Sequence, residues 1–254
     1  MKYFLKLLNL LLQQRSVKES NEVLNVILNR KSCRRFSKKK VNQDIIEKVL
    51  SAGASSPSTV NLQTWSFFPF DDESWFKKFS NPIPFGGKAA IIICADLKRL
   101  EIIDPVFKKY PYFFYTLAIM NASLAAMNMA IAIEGMGLKS IMLSQTGKTG
   151  LMDYKYLKEK LSLPELVFPL TTLAFGYPES EVLFSPPKYD KEVIIHRDGY
   201  YHLDEEKVKE WFDDMDFVCN LAEKEKITEK FKSYLKMLPD AEEELANAFK
   251  KISG

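Results

Sequence analysis

The sequence predicts an α/β or α+β fold, in which strands alternate with helices and pack in layers. The apolar run Ala89–Ala95 follows two glycines and is typical of a buried strand. A long segment rich in Ala and Met, Tyr115–Glu134, ends before Gly135 and Gly137 and predicts a helix buried on most of its circumference. Since the chain shows neither internal repeats nor low-complexity tracts, one layered domain is expected.

Shorter elements complete this order. Residues 43–52 place their apolar side chains on one face and predict a helix, with Asn42 as its N-terminal cap and Gly53 as its stop. Further strands are predicted at Ser66–Phe70, Lys139–Ser144 and Phe168–Phe175. From Asp204 onward the chain is charged and helical in pattern, and Pro239 is expected to separate a last short helix.

The 254 residues, of which 46% are hydrophobic and 27% charged, suit one globular domain with extensions. Residues 1–25 are expected to form an amphipathic helical extension, and residues 26–200 the main domain. Residues 201–254 have too few apolar side chains for a core of their own. They are expected to form a helical extension that packs on the body or on a partner subunit.

Charge, cysteine content and hydropathy exclude several classes of protein. A net charge of +3, from 36 basic and 33 acidic residues, indicates a mixed surface, unlike that of a dedicated nucleic-acid protein. The three cysteines are far apart and suit reduced thiols in a cytoplasmic protein. The apolar stretch 117–133 contains Asn121, Ser123 and Asn128, so it predicts a buried helix and no membrane span.

The segment Arg30–Lys40 is strongly basic, since seven of its eleven residues are Lys or Arg. Such a run fits a solvated charged face, a nucleic-acid patch or a phosphate site. Ser32 adds a hydroxyl donor, and a planar Arg fork pairs bidentately with phosphate oxygens. We name Arg30–Phe36 the basic segment.

A second polar cluster, Ser56–Trp65, follows one helix later, and we name it the amide loop. A Pro-Ser loop closed by a buried tryptophan accounts for Pro57 and Trp65. Asn61 and Gln63 lie beside apolar residues, and as buried amides they would need partners. Amides both donate and accept, as the polar edge of a heterocycle requires. A ligand with a phosphate at one end and a polar ring at the other would fit both clusters.

No residue pattern supplies a nucleophile or a metal site. His196 and His202 lie late in the chain, without a Ser or Cys in a nucleophile context and without carboxylates at metal-ligand spacing. We therefore expect no catalytic side chain and no metal. The reactive group is expected to come from a cofactor.

Taken together, these residues resemble the nitroreductase family of flavin enzymes. Its members typically carry an Arg-Arg-Ser-x-Arg-x-Phe element, followed one helix later by Ser-x-x-Asn-x-Gln-Pro-Trp. Arg30–Phe36 and Ser58–Trp65 match these elements, although Thr64 replaces the usual proline and Lys31 a frequent arginine. The resemblance covers roughly residues 25–200.

The resemblance implies an α+β fold, as a three-layer α/β/α sandwich with a mainly antiparallel sheet. It also implies an intertwined homodimer with FMN at the subunit interface, in which residues 26–200 form the FMN-binding domain. Arg30, Ser32 and Lys188 would hold the phosphate. The residues implied to bind FMN are Arg30, Lys31, Ser32, Arg34, Pro57, Ser58, Asn61, Gln63, Ser144 and Lys188.

The activity that the resemblance implies is that of an FMN-dependent oxidoreductase with a ping-pong mechanism. NADH or NADPH would give hydride to the flavin, and a nitroaromatic, a quinone or a similar small acceptor would take the electrons. A specialised flavin enzyme of the same family, such as an ene reductase or a dehydrogenase on a larger substrate, is an alternative. So are a flavin-binding protein without efficient turnover and a nucleic-acid-binding module that uses the Arg30–Lys40 run.

Overall fold

The computed structural model describes residues 19–143, 153–182, 185–200, 202, 204–223 and 226–253. These residues fall into two compact units. The larger unit takes in the described parts of 17–182 and 238–254, and the smaller unit those of 183–237. The boundaries predicted above for the two extensions remain predictions.

A four-stranded antiparallel sheet forms the centre of the larger unit. Its strands are β1 (Trp65–Asp71), β2 (Ala89–Asp96), β3 (Lys139–Leu143) and β4 (Val167–Gly176), in the order β1-β2-β4-β3. Strand β2 is buried along its whole length, as its apolar sequence predicts. The four predicted strands are confirmed, apart from Ser144, which lies outside the described residues.

Helices cover both faces of this sheet, which makes the fold α+β. They are α1 (Glu22–Asn29), α2 (Gln43–Ala54), α3 (Asp72–Phe79), α4 (Lys98–Ile103), α5 (Pro111–Gly135) and α6 (Tyr154–Leu161). Because side chains alternate along a strand, Ile91 and Ile93 of β2 join a core with α2 and α5. Ile92 and Cys94 join a second core with Trp75 of α3.

Helix α2 begins as predicted, because the Asn42 side chain accepts the Ile45 N–H at 3.0 Å. Gly53 does not stop the helix, which continues to Ala54. A Cβ atom at Gly53 would lie 2.1 Å from Cε of Met129 in α5, so the glycine permits close packing of the two helices. The predicted stop was wrong because a tertiary contact, rather than a helix end, requires this glycine.

Helix α5 begins at Pro111, ahead of the predicted Tyr115, since proline suits the first turn of a helix. It packs against α2 and all four strands. The prediction that most of its circumference is buried was wrong, because Phe113, Met120 and Leu124 are exposed. Among the described helices, α5 alone is long and apolar enough to pass a test for a membrane span, and its contacts with the sheet are those of a core helix.

The smaller unit contains α7 (Lys191–Ile194), α8 (Glu205–Glu223) and the first part of α9 (Ile227–Ser253). Within it, Tyr189 stacks on Trp211 with ring centroids 3.9 Å apart. The indole N–H of Trp211 donates to the Pro187 carbonyl at 3.1 Å. This tryptophan therefore joins α8 to the segment that contains Lys188.

The end of α9 belongs to the larger unit, where the Phe249 and Phe168 rings stack with centroids 5.7 Å apart. Pro239 lies inside α9 and does not separate two helices, so that prediction was wrong. The Leu, Lys, Glu and Ala residues around it are good helix formers. They maintain the helix although the proline removes a backbone hydrogen bond.

Candidate cofactor site

The basic segment lies along β3, which is an edge strand of the sheet. Ser32 forms a parallel bridge with Ser140, and the Cys33 N–H donates to the Ser140 carbonyl at 3.0 Å. Further along, Phe36 bridges Pro178. The side chains of Cys33 and Phe36 are buried in the core. Backbone pairing and two buried side chains therefore fix the position of this segment.

The polar side chains of the segment lie at the surface of this fixed backbone. Arg30, Lys31, Ser32 and Arg34 are half-buried. Close by, the buried carboxylate of Glu134 pairs with the Lys139 ammonium. Burial raises the pKa of Glu134, while the charges of Lys139 and Arg30 oppose that rise. Guanidinium, ammonium and hydroxyl donors on a rigid backbone suit a phosphate.

The amide loop connects α2 to β1, which is the other edge strand, and its backbone is strained. Val60, Asn61 and Gln63 have left-handed φ values of 50°, 56° and 48°. A β-branched residue rarely adopts this region, and each strained residue costs on the order of 1–3 kcal/mol. Val60 is 87% exposed, so its side chain gains no packing that would offset the strain.

Asn121 of α5 makes hydrogen bonds on either side of the strained part of this loop. Its side-chain oxygen accepts the Thr59 N–H at 3.2 Å, and its side-chain nitrogen donates to Oγ1 of Thr64 at 2.9 Å. Both Asn121 and Thr64 are buried. A buried amide with both of its functions satisfied is a rigid anchor.

Arg99 holds the loop from the side of α4. Its guanidinium donates to the carbonyls of Gln63 and Trp65, in each case at 3.0 Å, and lies 3.5 Å from the Asp96 carboxylate. Within the loop, Oγ of Ser58 accepts the Gln63 N–H at 3.0 Å. The strained backbone is thus stabilised by side chains on two helices and by one of its own.

The two amides of the loop face solvent. Asn61 and Gln63 are exposed, and the Gln63 side chain donates to the Asn61 side chain at 3.3 Å. The argument that these amides are buried and need partners was therefore wrong, because the left-handed backbone turns them outward. Trp65 is buried, as expected, and its ring stacks on Phe67. The loop presents polar groups and keeps its tryptophan in the core.

The basic segment and the amide loop lie at diagonally opposite corners of the sheet. They flank different edge strands. Ser32 lies beside Ser140, and the residues that pair in turn across the sheet from Ser140 end at Asp71. Asp71 is the last residue of β1, whereas Trp65 is the first. With standard strand spacing and rise, Ser32 and Trp65 are roughly 27 Å apart. One protomer therefore does not bring its two polar clusters onto one ligand, contrary to the first expectation.

Comparison with known proteins identifies the family. The model of the nitroreductase family matches residues 27–81, which include both polar clusters. A protein of Archaeoglobus fulgidus, provisionally named an NADH dehydrogenase/NAD(P)H nitroreductase, is 32% identical over 165 residues, which cover 63% of this chain and 87% of that protein. The chain belongs to the nitroreductase family. Membership of this family supports an oxidoreductase.

Further relatives agree with this assignment. An NADPH-dependent oxidoreductase of Staphylococcus aureus is 26% identical over 198 residues, covering 74% of this chain and 77% of the relative. The structure of Bacillus megaterium NfrA2 superposes with a TM-score of 0.75 over 92% of this chain and 98% of that chain, at 18% identity. At that identity the likeness shows that the fold is shared.

The donor set of the site fits the flavin nucleotide expected in a nitroreductase. The basic segment offers charge and a hydroxyl to a phosphate, and the loop offers amides to a polar ring. In addition, the Ser56 hydroxyl oxygen is buried at the start of the loop without a hydrogen-bond partner among the described residues. A buried polar atom of this kind is costly unless a ligand or water satisfies it.

All ten implied cofactor residues stay predictions, and for Ser144 and Lys188 the larger unit gives no geometry. Ser144 lies outside the described residues, and Lys188 belongs to the smaller unit. Pro57 is exposed and Ser58 is half-buried at the start of the loop. In the described part of the chain, no group of three or more His, Cys, Asp or Glu side chains is placed to hold a metal.

Sequence reasoning missed three residues that shape the site, namely Asn121, Arg99 and Glu134. Asn121 carried a signal, since an amide inside an apolar helix needs a partner. Glu134 carried a weaker one, as the last charge before the helix ends at Gly135. For Arg99 no local pattern predicts that its guanidinium reaches back to the carbonyls of Gln63 and Trp65.

Proposed function

We propose that this protein is an FMN-dependent NAD(P)H oxidoreductase that acts as a homodimer, with each cofactor held by both protomers. The observation that carries the proposal is the placement of a phosphate-binding donor set and a polar loop at opposite corners of one sheet. Within one protomer these clusters are too far apart to share a mononucleotide. A second copy would bring the loop of one protomer to the basic segment of the other.

The basic segment would hold the FMN phosphate, chiefly through Arg30, Lys31 and Ser32. Arg34 would lie toward the N1/O2 side of the ring, where its positive charge stabilises negative charge on a reduced flavin. From the other protomer, Pro57, Ser58, Asn61 and Gln63 would contact the ring and the ribityl chain. Lys188 and Ser144 are further candidate ligands carried over from the family.

When bound, FMN would supply the redox chemistry, with hydride from NADH or NADPH and electrons passing to a nitroaromatic, a quinone or a similar small molecule. A relative in the same fold is described as an NADPH:FMN oxidoreductase of Vibrio harveyi in complex with NAD+. The protein's own contribution would be to orient the ring, exclude water and stabilise charge. This role agrees with a site that offers hydrogen-bond donors and positive charge.

An apolar surface that is exposed among the described residues supports the homodimer. Along α5, apolar side chains that are exposed or half-buried recur every three or four residues, at Phe113, Leu117, Met120, Leu124, Met127 and Ile131. This spacing is that of a helix-packing seam. Helix α1 contacts α5 and exposes a further apolar set, made up of Val23, Leu24, Ile27 and Leu28. A combined apolar surface of this kind is typical of a subunit interface.

The two cores on opposite faces of the sheet support the three-layer sandwich of the family. The buried Cys33 and Cys94 form no disulfide, which suits a cytoplasmic enzyme. The fixed backbone of the basic segment favours cofactor anchoring over a nucleic-acid patch. Salt-sensitive binding to DNA or RNA by a colourless protein would reverse that preference.

The test is an absorbance spectrum of the purified protein, followed by anaerobic stopped-flow reduction with NADH and with NADPH. We expect a flavin spectrum, with one FMN per protomer, that bleaches on mixing with at least one nicotinamide. Turnover with nitroaromatic and quinone acceptors is then expected to show ping-pong kinetics. Protein that stays colourless after incubation with FMN would contradict the proposal.

A further inference from the structure

Asn121 lies in the middle of the apolar helix α5 and is 2% exposed. Nearly all its neighbours on the inner face of α5 are alanine or larger apolar residues. A polar side chain in such surroundings is costly unless both of its functions are satisfied. Here each function finds its partner in the amide loop, which lies far from Asn121 in sequence.

The two partners of Asn121 lie on either side of the strained part of the loop. Thr59 opens the strained stretch and donates its backbone N–H to the amide oxygen of Asn121, while Thr64 ends it and accepts from the amide nitrogen. Because one planar amide makes both bonds, the separation of Thr59 and Thr64 is fixed. Val60, Asn61 and Gln63 lie between these two points.

The strain in the loop requires such an anchor. Left-handed non-glycine residues persist where the surrounding structure over-determines them. Arg99 and Ser58 act on Gln63 and Trp65, toward the end of the loop. Of the three anchoring side chains, Asn121 alone binds Thr59, at the point where the strained stretch begins.

Thr64, which replaces the proline of the family element, supplies a hydroxyl to this contact. Its hydroxyl oxygen accepts the Asn121 hydrogen bond at a position that is 1% exposed. A proline at this position would offer no hydroxyl. In this chain a side-chain hydrogen bond therefore fixes the loop at the position where the family element usually has proline.

We infer that Asn121 and Thr64 form a clamp that holds the amide loop in its strained conformation, and so positions Asn61 and Gln63 for the flavin. Both are positioning residues, since neither is exposed to contact a ligand. The inference rests on the proposed function for its ligand. The clamp itself is a property of the protein without cofactor.

The test uses the double variant N121L/T64V, in which apolar groups of similar shape replace both partners. Removing both partners of the buried Asn121–Thr64 hydrogen bond is far less disruptive than removing one. The Thr59 N–H also loses its acceptor, but Thr59 is exposed and its N–H can bond to water, so the fold is expected to persist. In the cofactor-free protein, amide hydrogen exchange of residues 59–63 is expected to accelerate by at least about 10-fold. In parallel, the Kd for FMN, measured by quenching of flavin fluorescence, is expected to rise about 10-fold.

Two controls separate positioning from general damage. T64S keeps the hydroxyl and is expected to retain slow exchange and normal FMN affinity. N128A removes another amide of α5, which donates to the Ala52 carbonyl at 3.4 Å, and is expected to leave exchange in residues 59–63 unchanged. Thermal unfolding of every variant shows whether a loss of affinity follows a loss of fold.

The outcomes are distinct. Unchanged exchange in N121L/T64V overturns the clamp, and faster exchange with unchanged FMN affinity overturns its positioning role. An equal rise in the Kd for FMN in N128A and in the double variant would also overturn the positioning role, because the effect would then be unspecific. Wild-type protein that binds no FMN overturns the proposed function, while the exchange comparison still decides the clamp.

Discussion

The basic segment and the amide loop present polar groups by opposite structural means. The basic segment pairs with the edge strand β3 and is fixed by the buried Cys33 and Phe36. None of its residues has a left-handed φ. The amide loop pairs with the sheet only at its last residue, Trp65, contains three left-handed residues and depends on side chains from α4 and α5.

This difference suits the task proposed for each region. A phosphate needs a few donors on a rigid backbone, which pairing with the sheet supplies without left-handed strain. A polar ring needs amides held at defined angles, and the loop obtains them through strain that buried hydrogen bonds offset. Changes in the basic segment should therefore weaken binding directly, whereas changes around the loop should act through its conformation.

The largest effect is expected from R30Q. Replacing the guanidinium removes charge-assisted hydrogen bonds to the phosphate, and the Kd for FMN should rise by about 10- to 100-fold. Quenching of flavin fluorescence measures the change. The matched control is R35Q in the same segment, since Arg35 is exposed and has no implied cofactor role. Equal losses in the two variants would mean that the segment acts only through its net charge.

A smaller effect is expected in the loop from V60N. Asparagine tolerates a left-handed backbone better than a β-branched residue does, so the free energy of unfolding should rise by about 1 kcal/mol. Thermal or urea unfolding measures it. V60T retains β-branching and hence the strain, so its stability should stay near that of the wild type. A destabilised V60N would show that the valine side chain has a role its exposure does not reveal.

The smallest effect is a pH dependence beside the basic segment. Burial raises the folded-state pKa of Glu134 above its ordinary value near 4.5. The stability associated with its protonated form is therefore present at low pH and lost as pH rises through the folded pKa. The stability of wild type relative to E134Q should fall as pH rises above that ordinary value, as measured by urea unfolding.

D71N provides the comparison of opposite sign for this pH dependence. Hydrogen bonds from the hydroxyl and N–H of Ser74 lower the pKa of Asp71 below its ordinary value near 3.8. Its stabilising contribution is present above that value and is lost as pH falls through the lowered pKa. The free energy of unfolding of wild type, relative to that of D71N, should therefore increase as pH rises. The same trend in both variants would contradict the assigned environments.

Much of the fold could be predicted from local sequence. Residues Ala89–Ala95 of β2 are apolar throughout because both faces of the strand are buried, and Asn42 caps α2 as its side chain allows. Gly53 misled because it accommodates Met129, and a contact between distant segments leaves no periodic pattern. Pro239 misled because the good helix formers around it maintain a continuous helix.

The candidate site was less predictable than the fold. The motif residues of the two polar clusters can be read from the sequence, but their separation across the sheet depends on the strand order. The exposed stripe on α5 was predicted to be buried, since composition does not distinguish a core from a subunit interface. A local signal existed for Asn121, as an amide inside an apolar helix, and none existed for the contacts of Arg99.

The central claim is that each cofactor site combines the basic segment of one protomer with the amide loop of the other. The most direct test is FMN binding by a heterodimer of R30Q and N61A/Q63A protomers, isolated with two affinity tags. Each homodimer should bind FMN weakly. The heterodimer should gain one site with wild-type affinity, because one of its two sites combines an unchanged segment with an unchanged loop. A heterodimer in which both sites remain weak would contradict the account.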